Sequence, residues 1–291
     1  FSSDVLKRWA ELVEERTDGR YDFRYHWAGS LVGNKTLDGL SDGIVDVAIQ
    51  FTPYVSGDIV DLAAFDIPFS FPLDAEGLTN FHKDVTPHVA AVYRRHGSEV
   101  VAATPIILPN PVTCTDRFLA GPEDWEGALV RTAGRWQAES IRAWGGSPVV
   151  IPPGELYSAL ERGTANCTLM VYNGVNSLKL YEVAPVLTET AHIWAVGVIY
   201  FDAAFWDGLD EEERALFERA AREAAAHFDE LAAAEQEAAL ARAMEKGARR
   251  VAVDPSAWRE AVAPFVERFV QDMSGDAAGA LEEIRAARSV D

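Results

Sequence analysis

Basic residues are scarce in this chain. Lysine and arginine total 26 against 46 aspartates and glutamates, for a formal net charge of −20. A nucleic-acid binder needs a concentrated basic face, and no stretch supplies one, so that class is set aside. Cysteine is scarcer still: two among 291 residues are too few for a disulfide-rich scaffold or a four-thiolate zinc site. No apolar run reaches about 18 residues, the length needed to span a bilayer as a helix. The six histidines, His26, His82, His88, His96, His192 and His227, never fall into H-E-x-x-H spacing, and no metal site is read from them. Dinucleotide (G-x-G-x-x-G), P-loop and G-x-S-x-G patterns are all missing, which removes phosphate cradles and the esterase elbow. No cofactor is expected, and catalysis finds no support.

Apolar residues at 48% and charged residues at 25% are ordinary for a globular protein of 31.9 kDa. The acidity fits either a salty medium or simply a chain with a low isoelectric point. No leader is visible, which suits a cytosolic chain or a mature exported one. Residues 3–16 have helical periodicity through Val5, Leu6, Trp9, Leu12 and Val13. Tyr21, Phe23 and Tyr25 alternate as in a strand, and Val45, Val47 and Ile49 form another, so the opening unit reads as an α/β layer with a parallel sheet. A helix is expected over about 75–95, strands at 100–104, 129–132 and 165–169, and helices at about 136–144, 155–162 and 173–180. His192 to Phe201 reads as a returning strand, with His192 near a cleft. Asp210 and Glu213 have capping-box spacing at the head of a helix running to about 246. A strand near 250–253 and helices at 255–270 and 277–288 close the chain.

Cys114 and Cys167 both lie in extended segments without the helix N-terminus or basic neighbour that activates a thiol. A bridge between them and two separate buried thiols both remain open. Arg131 is more informative. It interrupts the apolar strand Leu129–Thr132, where a charge is costly unless paired, and its planar fork matches a carboxylate. Pairing with one of the chain's own carboxylates is the ordinary explanation. An anionic ligand is the other, with Arg135 and Trp136 opening the next helix close by.

The block RTAGRWQAESIRAWGGSPVVIPPGELYSALERGTANC, residues 131–167, resembles the centre of the periplasmic substrate-binding proteins of tripartite ATP-independent (TRAP) transporters. Glu155, Tyr157, Ala159, Leu160 and Gly163 match its E-x-Y-x-A-L-x-x-G in place. AGSLVGNKTLDGLSDGIVDVAIQFTPY, PEDWEG, LKLYEVAPVLTETAHIW and FWDGLDEEER resemble further family segments, so the likeness covers nearly the whole chain. Family members begin with a strand that precedes the first helix of this numbering.

The resemblance implies an α/β, two-lobed periplasmic binding protein fold with an interlobe cleft and a long helix spanning the lobes. The first lobe would take residues 1–108 plus 195–245, and the second 109–194 plus 246–291, whose C-terminal helices pack back. It implies a periplasmic receptor, not an enzyme, that binds a small organic carboxylate and delivers it to integral membrane TRAP transporter subunits. A monomer is expected, with no nucleic acid partner, no metal and a mature form without signal peptide. Arg131 takes the family's carboxylate-anchoring position. Tyr54 and Trp194 match cleft positions, and Trp136, Arg135, Phe51 and Trp27 join them as candidate ligand residues. The usual Asp-Gly is Asn166-Cys167 here, and Met170 replaces a common ligand-binding asparagine, with Asn173 one turn on to supply the amide. A thioether in place of an amide favours a ligand with an apolar or aromatic body over a sugar acid. An extracytoplasmic sensor, and a receptor for a non-carboxylate such as an amine, are the alternatives.

Overall fold

A computed structural model of the chain describes residues 2–27, 30–33, 35–69, 86–106, 111–189, 195–271 and 279. In α1 (Ser2–Arg16), Val5, Trp9, Leu12 and Val13 recur every three or four positions and are buried along one stripe. A short α2 (Thr36–Ser41) leads to β1 (Val47–Phe51) and to the single turn α3 (Thr52–Val55), which has a proline in its first turn. The 3-10 segment Val60–Asp66 precedes α4 (Thr86–Arg95) and β2 (Ser98–Ile106).

The second unit begins at β3 (Pro111–Cys114) and β4 (Leu129–Thr132), followed by α5 (Arg135–Ala143) and β5 (Ser147–Val150). Helix α6 (Leu156–Glu161), β6 (Cys167–Leu169), α7 (Tyr172–Ser177) and β7 (Val186–Glu189) complete its first pass. The chain then returns through β8 (Ala195–Asp202) and the short α8 (Ala203–Gly208). Helix α9 (Glu211–Glu245), β9 (Arg249–Ala252) and α10 (Ser256–Gln271) follow.

Two sheets result. The first has the order β1-β8-β2, and the second β5-β4-β6-β3-β7-β9. The parallel pairing expected for the opening unit is corrected here: β8 lies between β1 and β2 and runs antiparallel to both. Among the described residues, parallel ladders are confined to the second sheet, where β4 joins β5 and β6, and β7 joins β9. The apolar run of β8 explains its central place. Val196, Val198 and Tyr200 enter one core while Ile199 and Phe201 enter another, the period-two division of a strand covered on both faces.

The strand expected at Tyr21, Phe23 and Tyr25 is also corrected. Residues 22–27 have no ladder partner among the described residues. The alternation instead reports an extended segment half-buried at Tyr21 and Phe23 and exposed at Tyr25: Phe23 meets Trp9 edge-on at 5.0 Å, and Tyr21 meets Phe217 at 5.0 Å. The helix expected over 75–95 is described from Thr86 onward, and residues 70–85 lie outside the described set. The helix expected at 277–288 lies outside it too, Gly279 excepted.

Helix α9 ties the cores together. Asp210 accepts from the Glu213 amide at 2.8 Å, Glu213 accepts from the Asp210 amide at 3.0 Å, and three glutamates occupy its positive end. Phe217, Ala220, Ala221 and Ala224 pack with α1 and β8, whereas Ala239 and Ala243 pack with Tyr172, Val175 and Leu180. Alanines at both ends let neighbouring backbones approach closely, which explains why no clean heptad is visible.

The second core centres on Trp125, Trp144 and Trp258, whose rings lie 4.8–5.6 Å apart. Beside them the cysteine question closes. Cys114 and Cys167 face each other across the antiparallel β3–β6 pair, fully buried and disulfide-bonded, with their Cα atoms 4.0 Å apart.

Candidate functional site

Strand β4 enters the second sheet between β5 and β6, with Arg131 opposite Val149 on one side and Thr168 on the other. Asn166 fixes where β4 starts. Its side-chain oxygen accepts from the Leu129 amide at 2.7 Å, and its amide nitrogen donates to the Gly127 carbonyl at 3.1 Å. The departure from Asp-Gly at this point is thus a strand clamp.

Arg131 is 2% exposed. Its Nε donates to the Ile151 carbonyl at 2.9 Å, and Nη2 donates to the Tyr54 hydroxyl at 3.3 Å. Tyr54 comes from α3 of the first unit, so the guanidinium already reaches across to the other lobe. Among the described residues no carboxylate lies within ion-pair distance of Arg131. Two of its five N–H donors are used, and the other three have no protein acceptor among those residues. A buried cation left this way costs several kcal/mol in lost hydration, unlike one paired inside the fold.

Phe51 ends β1 opposite Gly197 and stands half-buried at the entry to α3. On the second lobe Asn173 is the second residue of α7, half-buried, and its side chain makes no hydrogen bond among the described residues. Met170 folds its thioether over Gly174, where any added Cβ would lie 2.3 Å from sulfur. The base of α7 is held by charge: the Tyr172 hydroxyl and the Arg250 guanidinium both donate to buried Glu189. Burial and this carboxylate push the Tyr172 phenol well above its ordinary range. Asn176 adds a bond from its amide to the Ala239 carbonyl at 2.6 Å, tying α7 to α9.

Trp136 is 4% exposed. Its indole N–H donates to the Ala63 carbonyl at 2.7 Å, and its ring meets Phe269 edge-on at 5.0 Å. Arg135 is exposed and lies over the Phe269 ring at 5.1 Å. These two therefore stand where α5 and α10 meet the Val60–Asp66 segment. Trp27 stacks on Tyr25 at 5.1 Å beneath Lys7, on the exposed edge beside α1. Trp194 and His192 lie outside the described residues.

The structure thus brings Arg131 and Tyr54 together directly and places Phe51, Met170 and Asn173 on the ends of β1, β6 and α7. Sequence reasoning overlooked Asp66 and Gly134, which meet beside them. Asp66 is a lone acid in the apolar run Leu62–Phe69, a signal that was available. Gly134 has an extended φ of −154°, so nothing in its backbone demands glycine. Its need comes from a neighbour: a Cβ there would lie 2.8 Å from the Pro53 carbonyl oxygen.

A family model described as bacterial extracellular solute-binding protein, family 7, matches residues 2–272. Among curated relatives, the ectoine/5-hydroxyectoine-binding periplasmic protein UehA of Ruegeria pomeroyi is 28% identical, covering 96% of this chain and 85% of its own. The ectoine-binding periplasmic protein TeaA of Halomonas elongata is 27% identical over 78% of this chain and 68% of its own. Among solved structures, a TRAP periplasmic solute-binding protein from Desulfovibrio salexigens with bound orotic acid has a TM-score of 0.90 at 20% identity, covering 98% and 94% of the two chains. Another from Chromohalobacter salexigens with bound D-glucuronate has a TM-score of 0.88 at 22% identity, covering 98% and 95%. At these identities the structural likeness carries the two-lobed fold.

Proposed function

Because the chain belongs to family 7 of the bacterial extracellular solute-binding proteins, we propose that it is a periplasmic receptor that captures a small organic carboxylate between its lobes and delivers it to a TRAP transporter in the membrane. The observation that carries this reading is the buried Arg131 guanidinium, which meets no carboxylate among the described residues and keeps three donors free of protein acceptors. A ligand carboxylate supplies the missing charge and accepts two parallel N–H bonds, while the Ile151 carbonyl and Tyr54 hydroxyl hold the fork in plane. Closure excludes water and strengthens that pair. No helix among the described residues is long and apolar enough to cross a membrane.

In this proposal Asn173 offers an amide to the far end of the ligand, and Met170, Phe51 and Trp194 supply apolar surface, while Trp27 stays on the exposed edge beside α1. Trp136 and Arg135 act at the seam, where the indole bond to Ala63 joins the lobes. The proposed division of the lobes is the one expected from the sequence, 1–108 plus 195–245 and 109–194 plus 246–291, with α9 crossing between them. The ectoine-binding relatives favour a compact ring bearing a carboxylate and a delocalised cation, which also suits the thioether of Met170 better than a polyhydroxylated acid does.

A thermal-shift screen of ligand-free protein against ectoine, orotate, D-glucuronate and simple amines tests the reading. A ligand at a hundred times its Kd adds about 2.7 kcal/mol, roughly 4–5 °C in melting temperature for a chain of this size. A carboxylate that shifts wild type and leaves Arg131→Ala unmoved supports the receptor. A shift with amines alone, or one that survives in Arg131→Ala, sinks it.

A further inference from the structure

Asp66 ends the 3-10 segment of the first lobe and is 3% exposed. The Thr52 hydroxyl donates to it, and the same Thr52 oxygen accepts from the Val196 amide at 3.3 Å. No cation among the described residues comes within ion-pair distance of it. Its other side opens on a recess of about 10 Å³, room for one water, walled by Pro53 from the first lobe and by Gly134, Arg135, Trp136 and Gln137 from the second. One wall of the recess beside this carboxyl is therefore lent by Gly134 and the start of α5, and that wall is lost when the lobes separate. The contact of Gly134 on Pro53 shows how tightly the two halves close at this point.

We propose that the Asp66 carboxyl is a proton-linked fastener of the seam between the lobes: it sits neutral between α3 and α5 when they close, and ionises in water when they part. Through Thr52 it also fixes the turn that carries Tyr54 to Arg131, which makes it a positioning residue for the anchor. The groups around it agree. Thr52 faces it from α3 and Tyr93 from α4, and the Tyr93 ring in turn meets Tyr200 of β8 at 4.9 Å. Gln137 and Arg135 stand on α5, where Gln137 is already bonded to the Ala133 amide and Arg135 lies over Phe269. Tyr93 has a buried hydroxyl with no partner among the described residues. The free N–H groups at the start of α5 favour an anion, but one helix end is weaker than the loss of hydration of an unpaired buried carboxylate. Burial accordingly pushes Asp66 well above the usual carboxylate range, against the lowering effect of the Thr52 hydroxyl.

The sign follows from linkage. A carboxyl whose pKa is higher in the closed form binds its proton on closing. Falling pH therefore favours closure from above the closed-state pKa down to the ordinary carboxylate value, and no further below it.

Single-molecule energy transfer on ligand-free protein tests this. The dyes sit on cysteines introduced at the exposed positions Asp58 and Glu155, since the native cysteines are bonded and buried. The expected result is a closed-to-open ratio that rises as pH falls, by at most about tenfold per pH unit for one proton. Asp66→Asn, a stand-in for the neutral acid, holds one ratio at every pH. Gly134→Ala lowers the ratio throughout and keeps the pH dependence. A wild-type ratio indifferent to pH, an Asp66→Asn protein that still responds, or a Gly134→Ala protein that closes as well as wild type each overturns the proposal. The inference rests on the two-lobed receptor reading but not on the ligand's charge. Failure of every carboxylate to bind would remove the anchor role of Arg131 and leave this titration standing.

Discussion

Replacing Arg131 with methionine separates a ligand anchor from a structural ion pair. The guanidinium is buried, makes two hydrogen bonds, and meets no carboxylate among the described residues. Methionine fills a similar volume with a flexible chain and gives up those two bonds, about 1.5–3 kcal/mol each for a charged donor. Against this, it removes a desolvation penalty of several kcal/mol that no counter-charge offsets. The two sides nearly cancel, so ligand-free Arg131→Met should match wild type within about 1 kcal/mol. Binding should fare differently: truncating one partner of a buried hydrogen-bonded charge pair costs about 2–5 kcal/mol, roughly 30-fold to several thousand-fold in Kd. Urea unfolding after removal of copurified ligand reads the first quantity, and calorimetric titration reads the second. A ligand-free variant destabilised by about 3–5 kcal/mol, the mark of a broken internal pair, would refute the reasoning.

Three other expectations follow from the geometry. Reducing the Cys114–Cys167 bridge, or replacing both residues with alanine, frees a chain separation of 53 residues and should cost up to about 4 kcal/mol on the loop-entropy account. An unchanged denaturation midpoint with both thiols shown to be free would contradict it. Asp210→Ala removes the cap of α9 and should cost about 1 kcal/mol, measured by circular dichroism during thermal unfolding. Tyr21 is pushed up to about 12 by burial and then by its bond to Glu213, so stability should fall as pH rises from about 10, the ordinary tyrosine value, towards 12. Glu213 is lowered by the same bond and by the Asp210 amide, so its contribution should be lost as pH falls through the carboxylate range. Tyr21→Phe should flatten the alkaline limb, and a wild-type curve already flat there would show the bond to be unimportant.

The sequence made the periodic and capped elements legible. Leu129–Thr132 was readable because an arginine inside an apolar run is conspicuous, and α9 because Asp210 and Glu213 mark its start. The sheet order was not readable, since β8 separates β1 from β2 through a pairing nearly 150 residues long in sequence, and apolar content alone does not fix strand direction. The Tyr21–Tyr25 alternation reported the half-burial of Tyr21 and Phe23, but Tyr25 is exposed and the segment forms no ladder among the described residues. At the site, the placement of Arg131 came from the family likeness, but its missing counter-charge is a fact of three dimensions. Gly134 is hidden for the same reason, a helix-start glycine until α5 is packed on α3, whereas Asp66 is legible as a lone acid in the apolar run Leu62–Phe69.

The central claim is that Arg131 recognises a carboxylate. Calorimetric titration of orotate or ectoine, whichever shifts the melting temperature, beside the same molecule with its carboxylate converted to a neutral amide, tests it most directly. The account predicts tight binding of the acid, a loss of about 2–5 kcal/mol for the amide, and no further loss when the amide meets Arg131→Met. Equal affinity of wild type for acid and amide would contradict it.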